Sequence, residues 1–486
     1  MKRRDFIKKS VAASAALTTT SLFEMTVPEE AQAINTGGGI GIQQALYMLE
    51  KGKEKNTIPV IRPEILNNPR AVFLIETHVD ARRDADGFFT EAAPQIENAG
   101  KDIVSSIFVK GEQKGGSTLV KPNFTYVDPT HINRTSGVIT RPDFLVGFVK
   151  GMKELGNSNI MLGERNVNAA YNHRKAGIYE VLDYSDGGGE GSSPVAPLLE
   201  AENARFEHYE KNDLNWRTIK NSVISKKMPF WRPIGDEDCF VINIAALKTH
   251  DTSGTTLGIK NLQGAVPTGY GHFCSSWATL PFNAKYWGID FKRSFHKDYH
   301  QGIEDQYSKH LTAGFKHWDY EKSYQQYLEK GGWDAFRKIK DDRKAIAEFT
   351  KGMRSLMSEE KWLQLGLDCA SAMKPGLNII DGIIGLDGSA HGTCGTDTLC
   401  NIVVAGLSVF EVDAVGNYIM GHDPSEMWYT RVAKERGLGE CDINKIDIYI
   451  IRNGEITPVK NLAEIKRFHL GTNLHSWGER GIRLMW

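Results

Sequence analysis

Long apolar runs, blocks of basic residues and closely spaced cysteines are all scarce in this sequence. Once the N-terminal segment is set aside, no apolar stretch approaches the roughly twenty residues that a membrane-spanning helix needs, so we expect no membrane span in the mature chain. The formal net charge is -1, and no basic block occurs outside the first ten residues. The electrostatic footprint of a nucleic-acid binder is therefore missing, and we expect no nucleic-acid partner.

The six cysteines are far apart in the chain and form no Cys-x-x-Cys pair. This spacing argues against an iron–sulfur cluster of the ferredoxin type. Cys394 and Cys400 are close enough in sequence for a small-loop disulfide in an exported protein, although buried free thiols are the commoner outcome. A Gly-x-Ser-x-Gly turn and a positioned Cys/His pair are also missing, which disfavours a hydrolase with a serine or cysteine nucleophile.

The composition is that of a globular protein. The 486 residues are 41% hydrophobic and 24% charged, and this length suits two to three average domains or one large α/β enzyme. We expect an α/β core in two parts, residues 34–274 and 351–486. A helical, aromatic-rich insertion over 275–350 is expected to cap the site.

The N-terminus has the pattern of a twin-arginine export signal. Arg3 and Arg4 precede a modestly apolar segment, and a small-residue site follows at Ala31-Gln32-Ala33. We expect a signal over residues 1–33, the twin-arginine machinery as a partner, and a location in the periplasm or outside the cell. A basic cytosolic tail is the alternative. Because that pathway carries proteins that fold before export, often with a cofactor, the signal favours a metal or an organic cofactor.

Strand and helix patterns alternate along the chain. Apolar segments at 71–76, 117–120 and 159–162 predict strands, and the spacing of apolar residues over 141–155 predicts a helix that begins near Pro142. This βα alternation predicts a mainly parallel, doubly wound sheet. In such sheets the ligand site lies at the carboxyl ends of the strands.

The richest strand end follows the apolar run 239–247. Lys248 and His250 come directly after this predicted buried strand, and residues 252–258 offer glycines and hydroxyl groups, among them Thr255, to an approaching anion. Lys260 and Asn261 follow. The alternative interpretation is a strand that ends in an ordinary solvated polar turn.

Other predicted strand ends add candidates of the same chemical kinds. The predicted strand 117–120 leads into Lys121 and Asn123, and Glu164 follows another strand. Asp381 lies within the predicted strand 377–384, and His272 and His391 are further imidazoles. Lysines with hydroxyl-rich turns suit a phosphate or carboxylate, and neutral imidazoles suit a transition metal or proton transfer. The mixture predicts a small anionic ligand with acid/base chemistry nearby.

Several blocks of the sequence resemble the domain of unknown function 362 family. They are LVKPNF at 119–124, LGERN at 162–166, NIAALKTHDTSGTTLGIKNLQGAVP at 243–267, IIDGIIGLDG at 379–388 and EVDAVGNYIMGHDP at 411–424. The resemblance implies a fold and a site but no settled reaction. Many relatives in the family carry an appended ferredoxin-like cluster motif that this chain lacks.

The segment around His250 also resembles the nickel-pincer lactate racemase family, although over this one segment alone. There a strand ends in a histidine, a Gly/Ser-rich turn follows, and a lysine attaches the pincer nucleotide covalently. The resemblance implies that His250 is a general acid/base, that Lys260 anchors the cofactor, and that His272 binds nickel. Glu164 stands near the place of the racemase's second acid/base histidine.

These observations lead to two functional hypotheses. The first is a metal- or cofactor-dependent enzyme, isomerase-like or oxidoreductase-like, that acts on a small anionic substrate. Its predicted catalytic residues are His250, Lys260 and Glu164, and its predicted metal ligands are His250, His272 and His391. The second hypothesis is an exported, non-catalytic protein that binds an anion or a metal ion. The residues predicted to hold the cofactor or anion are Lys121, Asn123, Lys248, Thr255, Lys260, Asn261 and Asp381.

Overall fold

The computed structural model describes a large central part of the chain. The described residues are 50, 52–53, 56–83, 89–111, 115–124, 137–157, 159–164, 198–200, 214–223, 226–250, 253–266, 329–330, 335, 338, 354–388 and 396–471. The backbone alone is described for residues 90, 164, 198–200, 231, 354–362 and 428. The predicted export signal lies outside these residues, as does nearly all of the predicted insertion over 275–350.

Most of the described strands join one ten-stranded sheet with the order β14-β13-β2-β12-β11-β9-β4-β5-β6, in which β10 pairs with β9 alone. Two further sheets have two strands each, β1 with β3 and β7 with β8. The strands are β1 Val60–Ile61, β2 Val72–Glu76, β3 Phe108–Val109, β4 Ser117–Lys121, β5 Ile160–Glu164, β6 Leu198–Glu200, β7 Leu214–Thr218, β8 Lys227–Trp231, β9 Cys239–His250, β10 Gly254–Thr256, β11 Leu377–Asp387, β12 Thr396–Gly406, β13 Ile448–Arg452 and β14 Glu455–Pro458.

The large sheet is mixed but mostly parallel. Strands β2, β4, β5, β6, β9, β11 and β13 run in one direction, whereas β10, β12 and β14 run in the other. The carboxyl ends of the parallel strands therefore meet at one edge of the molecule, as the α/β prediction requires. The predicted fold class is confirmed as α/β with a large, mostly parallel sheet.

Helices cover both faces of this sheet. On one face α2 and α3 pack against the even-numbered side chains of β9, Ile242 and Ile244. On the other face α4, α5 and α6 pack over the odd-numbered side chains, such as Val241 and Ala245. The helices are α1 Pro63–Leu66, α2 Ala93–Ile107, α3 Pro142–Glu154, α4 Gly258–Leu262, α5 Arg354–Met373, α6 Val409–Ile419 and α7 Trp428–Glu435.

The helices α2 and α3 cross at very short range because a glycine lies at their contact. A Cβ atom on Gly147 would lie 1.8 Å from the carbonyl oxygen of Glu97, far inside van der Waals contact. This close approach lets α3 lie flat on the sheet, and its first residues, from Arg141 onward, are held over the carboxyl end of β11.

Two details of the sheet differ from the sequence-based expectation. The strand predicted for 239–247 extends to His250, because β10 folds back on it and pairs Thr256 with Lys248 and Gly254 with His250. The segment expected to be an open polar loop is thus partly a hairpin. The C-terminal apolar run 446–451, which as the last long apolar run would be expected at the sheet edge, instead forms β13 between β2 and β14.

None of the described helices is both long enough and apolar enough to cross a membrane.

Candidate functional site

An amide network lies where β4 and β9 approach their carboxyl ends. Lys121 is the last residue of β4 and is fully buried. Its Nζ donates to the carbonyl oxygen of Pro122 at 2.7 Å and to Oδ1 of Asn261 at 3.3 Å. Both of these acceptors are neutral. A buried ammonium ion thus points toward the polar groups at the end of the strand.

Asn261, on the short helix α4, connects β4 to β9. Its Nδ2 donates to Oδ1 of Asn243 at 2.8 Å and approaches the carbonyl oxygen of Lys121 at 3.2 Å. The register aligns Lys121, Asn243 and Asn378 in one row across β4, β9 and β11. Asn243 then donates to Oδ1 of Asn378 at 3.0 Å. The row is a continuous chain of hydrogen bonds inside the protein.

Asn123 completes this network and has an acceptor to spare. Its side chain is buried, and its Nδ2 donates to Oδ1 of Asn261 at 3.0 Å. The donors that Asn261 receives fix the orientation of both amides. Oδ1 of Asn123 has no hydrogen-bond partner within the described part of the chain. A buried acceptor without a hydrogen bond costs about 1–3 kcal/mol of stability. A ligand that donates a hydrogen bond to this oxygen would remove that cost.

Two side chains of α6 hold the segment that carries Lys260 and Asn261. The carboxylate of Asp413 accepts from the backbone amides of Gly258 at 2.7 Å and Ile259 at 2.9 Å. One turn later, Oδ1 of Asn417 accepts from the hydroxyl of Thr255 at 2.9 Å. Burial raises the pKa of Asp413 to about 7, although the two amide hydrogen bonds act in the opposite direction. These contacts fix α4 beside the amide network.

The end of β9 presents two predicted site residues beside the hairpin. Lys248 is fully buried, and its Nζ donates to the carbonyl oxygen of Val138 at 2.6 Å. Nδ1 of His250 accepts from the backbone amide of Ser253 at 3.2 Å. Because Nδ1 accepts this bond, the neutral imidazole carries its proton on Nε2, which is then a hydrogen-bond donor.

Lys260 lies on α4 close to the same hairpin. Its side chain is partly buried, and its Nζ lies 3.4 Å from Oγ1 of Thr256 in β10. Lys260 directly precedes Asn261 on α4. Neighbouring residues on a helix point in different directions, so Asn261 reaches the amide network while the Lys260 side chain reaches β10.

A cluster around Arg141 lies on the opposite face of the sheet, which α2 and α3 cover. Thr140 connects the two sides, since its hydroxyl accepts from the amide of Asn123 at 2.7 Å and donates to the carbonyl oxygen of Ile244 at 2.8 Å. The next amide, that of Arg141, donates to Oδ2 of Asp381 at 3.2 Å. The cluster and the amide network are thus joined through two consecutive residues, Thr140 and Arg141.

The Arg141 side chain is fully buried, yet Nε and both terminal nitrogens lack a hydrogen-bond partner within the described residues. An oxygen of Asp143 lies 3.5 Å from the guanidinium. Burial lowers the pKa of Arg141, while the charges of Asp381, Asp143 and Asp397 raise it.

Asp381 is an acid of this cluster whose pKa is raised. It is buried at an irregularity of β11, where its Oδ1 accepts from the amide of Ile383 at 3.3 Å. Burial raises the pKa of Asp381 to about 6, although the Arg141 charge and the backbone amides oppose this shift. A carboxyl group with this pKa can accept or release a proton near neutral pH.

The structure brings together part of the predicted site. Lys121, Asn123 and Asn261 are in direct hydrogen-bond contact, and Asp381 lies on the far side of Thr140. The hydroxyl of Thr255 contacts Asn417. Glu164 ends β5, but its side chain lies outside the described atoms, and His272 and His391 lie outside the described residues altogether.

The residues that connect these candidates were not predicted from the sequence. Asn243 and Asn378 are single amides inside apolar strand runs, and an isolated polar residue in such a run is the signal that could have identified them. Arg141 was considered only as the start of a helix. Asp413 lies on α6, but its carboxylate caps a different helix, α4.

The described residues do not form a metal site by themselves. Within the ranges given above, no group of three His, Cys, Asp or Glu side chains lies close enough to hold a metal ion. His250 is the one predicted metal ligand that the structure describes.

Among the comparisons with known proteins, the comparison with family models gives a match. The family model described as Domain of unknown function (DUF362) matches residues 118–417, which is more than half of the chain. The match includes the amide network, the Arg141 cluster and α6. The comparisons with curated proteins and with solved structures returned no match.

Proposed function

Because this chain belongs to the domain of unknown function 362 family, whose description states no reaction, we propose a function from the chemistry of its site. The protein is an enzyme that binds a small anionic molecule at the carboxyl ends of β4, β9 and β11 and moves a proton on it. The reaction class is isomerase-like or oxidoreductase-like. A metal or an organic cofactor takes part when bound.

The observation that carries this proposal is the open acceptor of Asn123. Its Oδ1 is buried and without a donor in the described chain, directly beside the ammonium group of Lys121 and the amide of Asn261. A ligand that donates a hydrogen bond would satisfy the acceptor of Asn123, and a negative charge on the same ligand would lie close to the ammonium group of Lys121. Free amide acceptors are otherwise rare in protein interiors.

The acid/base role is assigned to His250, Lys260 and Glu164. His250 ends β9 with Nε2 as the donor of its neutral ring. Lys260 stands next to Asn261 and serves either as an acid/base or as the anchor of a cofactor. Asp381 adds a carboxyl group with a pKa of about 6 to the other face of the sheet.

Metal analysis and intact mass would test the cofactor. The full chain purified after export would be compared with Lys260→Ala and with Lys226→Ala, a control at an exposed lysine. We expect about one transition metal per chain and an added mass in the wild type and in the control. Both the metal and the mass should be lost in Lys260→Ala. If all three proteins show the mass of the bare chain and no metal, the covalent cofactor is ruled out. The metal-free acid/base enzyme then remains as the proposal.

A second candidate function is an exported binding protein without catalysis. The same buried cations and the same open acceptor support it, because binding requires no titrating group. Isotope exchange separates the two functions. An enzyme that moves a proton should catalyse the exchange of deuterium from the solvent into its ligand, and His250→Gln should slow this exchange. A binding protein would leave the ligand without deuterium.

Export through the twin-arginine pathway is also proposed, from the sequence alone. Replacement of both Arg3 and Arg4 by lysine should retain the chain inside the cell, as measured by fractionation. Unchanged export of this double variant would contradict the proposal.

A further inference from the structure

The guanidinium of Arg141 is the most unusual polar group in the described part of the chain. It is fully buried, and none of its three nitrogens has a hydrogen-bond partner among the described residues. Arginine carries five N–H donors in a planar fork. Unsatisfied donors on a buried charged group are expensive, so this fork is expected to meet an acceptor that the chain itself does not supply.

A second observation at the same place points to an acceptor of the same kind. Arg141 is the N-cap residue of α3, a 13-residue helix, and no side chain caps this end. The first bond inside the helix runs from the amide of Leu145 to the carbonyl oxygen of Arg141 at 3.0 Å. The positive end of the helix dipole and the first-turn amides therefore accompany the guanidinium. Both features favour an oxyanion.

The surrounding charges select the kind of oxyanion. Asp143 lies 3.5 Å from the guanidinium, Asp381 accepts from the Arg141 amide, and Asp397 also contributes an electrostatic interaction. These carboxylates repel any further negative charge, and they repel a dianion such as phosphate about twice as strongly as a monoanion. A planar, singly charged carboxylate therefore adds the least repulsion, and it matches the fork with two parallel hydrogen bonds.

We propose that Arg141 binds the carboxylate group of the substrate and that the protein acts on a small carboxylic acid. This inference rests on the proposed function and names the substrate class. The carboxylate lies on the guanidinium at the N-terminus of α3. This site adjoins the amide network through the backbone, because Thr140, the residue before Arg141, is hydrogen-bonded to Asn123 and the Arg141 amide donates to Asp381.

Acetate is the simplest probe of this site. The unfolding temperature of the full-length chain would be measured against acetate concentration at pH 8 and constant ionic strength, with phosphate as the dianionic comparison. We expect acetate to stabilise the wild type more than phosphate does. Arg141→Met, which keeps the length of the side chain but removes its donors, should weaken acetate binding at least about tenfold.

Two further variants serve as controls for the acetate titration. Arg141→Lys keeps the charge but loses the fork, so it should bind acetate more weakly than the wild type and more tightly than Arg141→Met. Arg452→Met removes an exposed arginine that pairs with Glu76, and acetate binding should not change. Equal acetate binding by the wild type and Arg141→Met would overturn the inference.

The outcomes also separate this inference from the proposed function. Acetate binding that survives in Arg141→Met and is lost in Lys121→Met would overturn the role of Arg141 but leave an anion site at the amide network. Stabilisation by neither acetate nor phosphate in the wild type would contradict both. If Arg141→Met does not fold, a crystal structure of the wild type in acetate decides, because two acetate oxygens should lie within hydrogen-bond distance of the guanidinium. Their absence there would overturn the inference.

Discussion

Asp413 has a fully buried carboxyl group that touches the backbone of a neighbouring helix. Its two oxygens accept from Gly258 and Ile259, and no charged side chain contributes to its raised pKa of about 7. Desolvation disfavours the charged form. Protonation of this one residue therefore changes the interaction that holds α4 in place.

The raised pKa predicts a definite pH dependence of stability. The unfolded chain ionises near the ordinary value of 3.8, so between pH 4 and pH 7 the unfolded state releases a proton that the folded state retains. The stabilising contribution of Asp413 is thus fully present below pH 4 and is lost as the pH rises through 7, by at most about 1.4 kcal/mol per pH unit. The free energy of unfolding of the wild type, minus that of Asp413→Asn, should fall over this range.

Chemical denaturation at pH 5, 6, 7 and 8 would measure this difference. Glu455→Gln changes an exposed carboxylate in β14 and serves as the control, for which the difference from the wild type should stay flat. A wild-type-minus-variant difference that stays flat from pH 5 to pH 8 would show that the amide hydrogen bonds outweigh desolvation and that Asp413 is charged throughout this range.

The composition of the site was partly predictable from single residues. Lys121, Asn123 and Asn261 were found because each follows an apolar strand run in sequence, and the structure joins all three. Asn243 and Asn378 were missed because they lie 135 residues apart in sequence, and nothing local indicates that their amides form a hydrogen bond with each other. Arg141 was missed because burial of an arginine depends on its tertiary neighbours, here β11 and β12, which carry Asp381 and Asp397.

At the scale of elements, the contact between α4 and α6 is the one on which the proposed site depends most. A Cβ atom on Gly258 would lie 2.8 Å from Oδ1 of Asp413 and 3.2 Å from Nδ2 of Asn243. Glycine therefore allows α4 to lie against both groups. Gly258→Ala should push α4 away from the amide network and destabilise the fold by about 1–3 kcal/mol.

A double-mutant cycle would locate this effect. Asp413→Ala removes one of the three groups that the new methyl would strike, the others being Val409 and Asn243, so Gly258→Ala should cost less in that background, with a coupling energy of at least about 0.5 kcal/mol. Stability would be measured by denaturation and ligand binding by the acetate titration. Strictly additive effects on stability would show that α4 is not held by this contact.

Element types were predicted better than element ends. The helix expected over 141–155 is α3, Pro142–Glu154, because the proline and the apolar spacing are local signals. The end of β9 was placed three residues early, since Lys248, Thr249 and His250 look like a polar turn. They continue the strand because β10 returns to pair with them, and such pairing is a tertiary property that composition does not reveal.

At the scale of the whole molecule, the two predicted parts of the α/β core share one sheet. β11 and β12, from the second part, lie between β9 and β2 of the first, and β13 lies beside β2 on its other side. The alternation of strands and helices in the sequence predicted the class of this sheet, but not its order. That order follows from which faces and edges are buried together, and it brings Asp381 of β11 beside Arg141.

This interleaving predicts that residues 34–350 do not fold without residues 351–486. In the shorter chain β2 would lose both of its neighbours, β12 and β13, and β9 would lose β11. Unpaired strand edges would then be exposed, which favours aggregation. We expect no cooperative thermal transition from the 34–350 fragment, and recovery of a single transition when 351–486 is co-expressed as a separate chain. A cooperative transition of 34–350 alone, near the unfolding temperature of the full chain, would show that β4, β5 and β9 form an independent core. The Arg141 site would then have to be complete without Asp381, and acetate binding by that fragment would measure this directly.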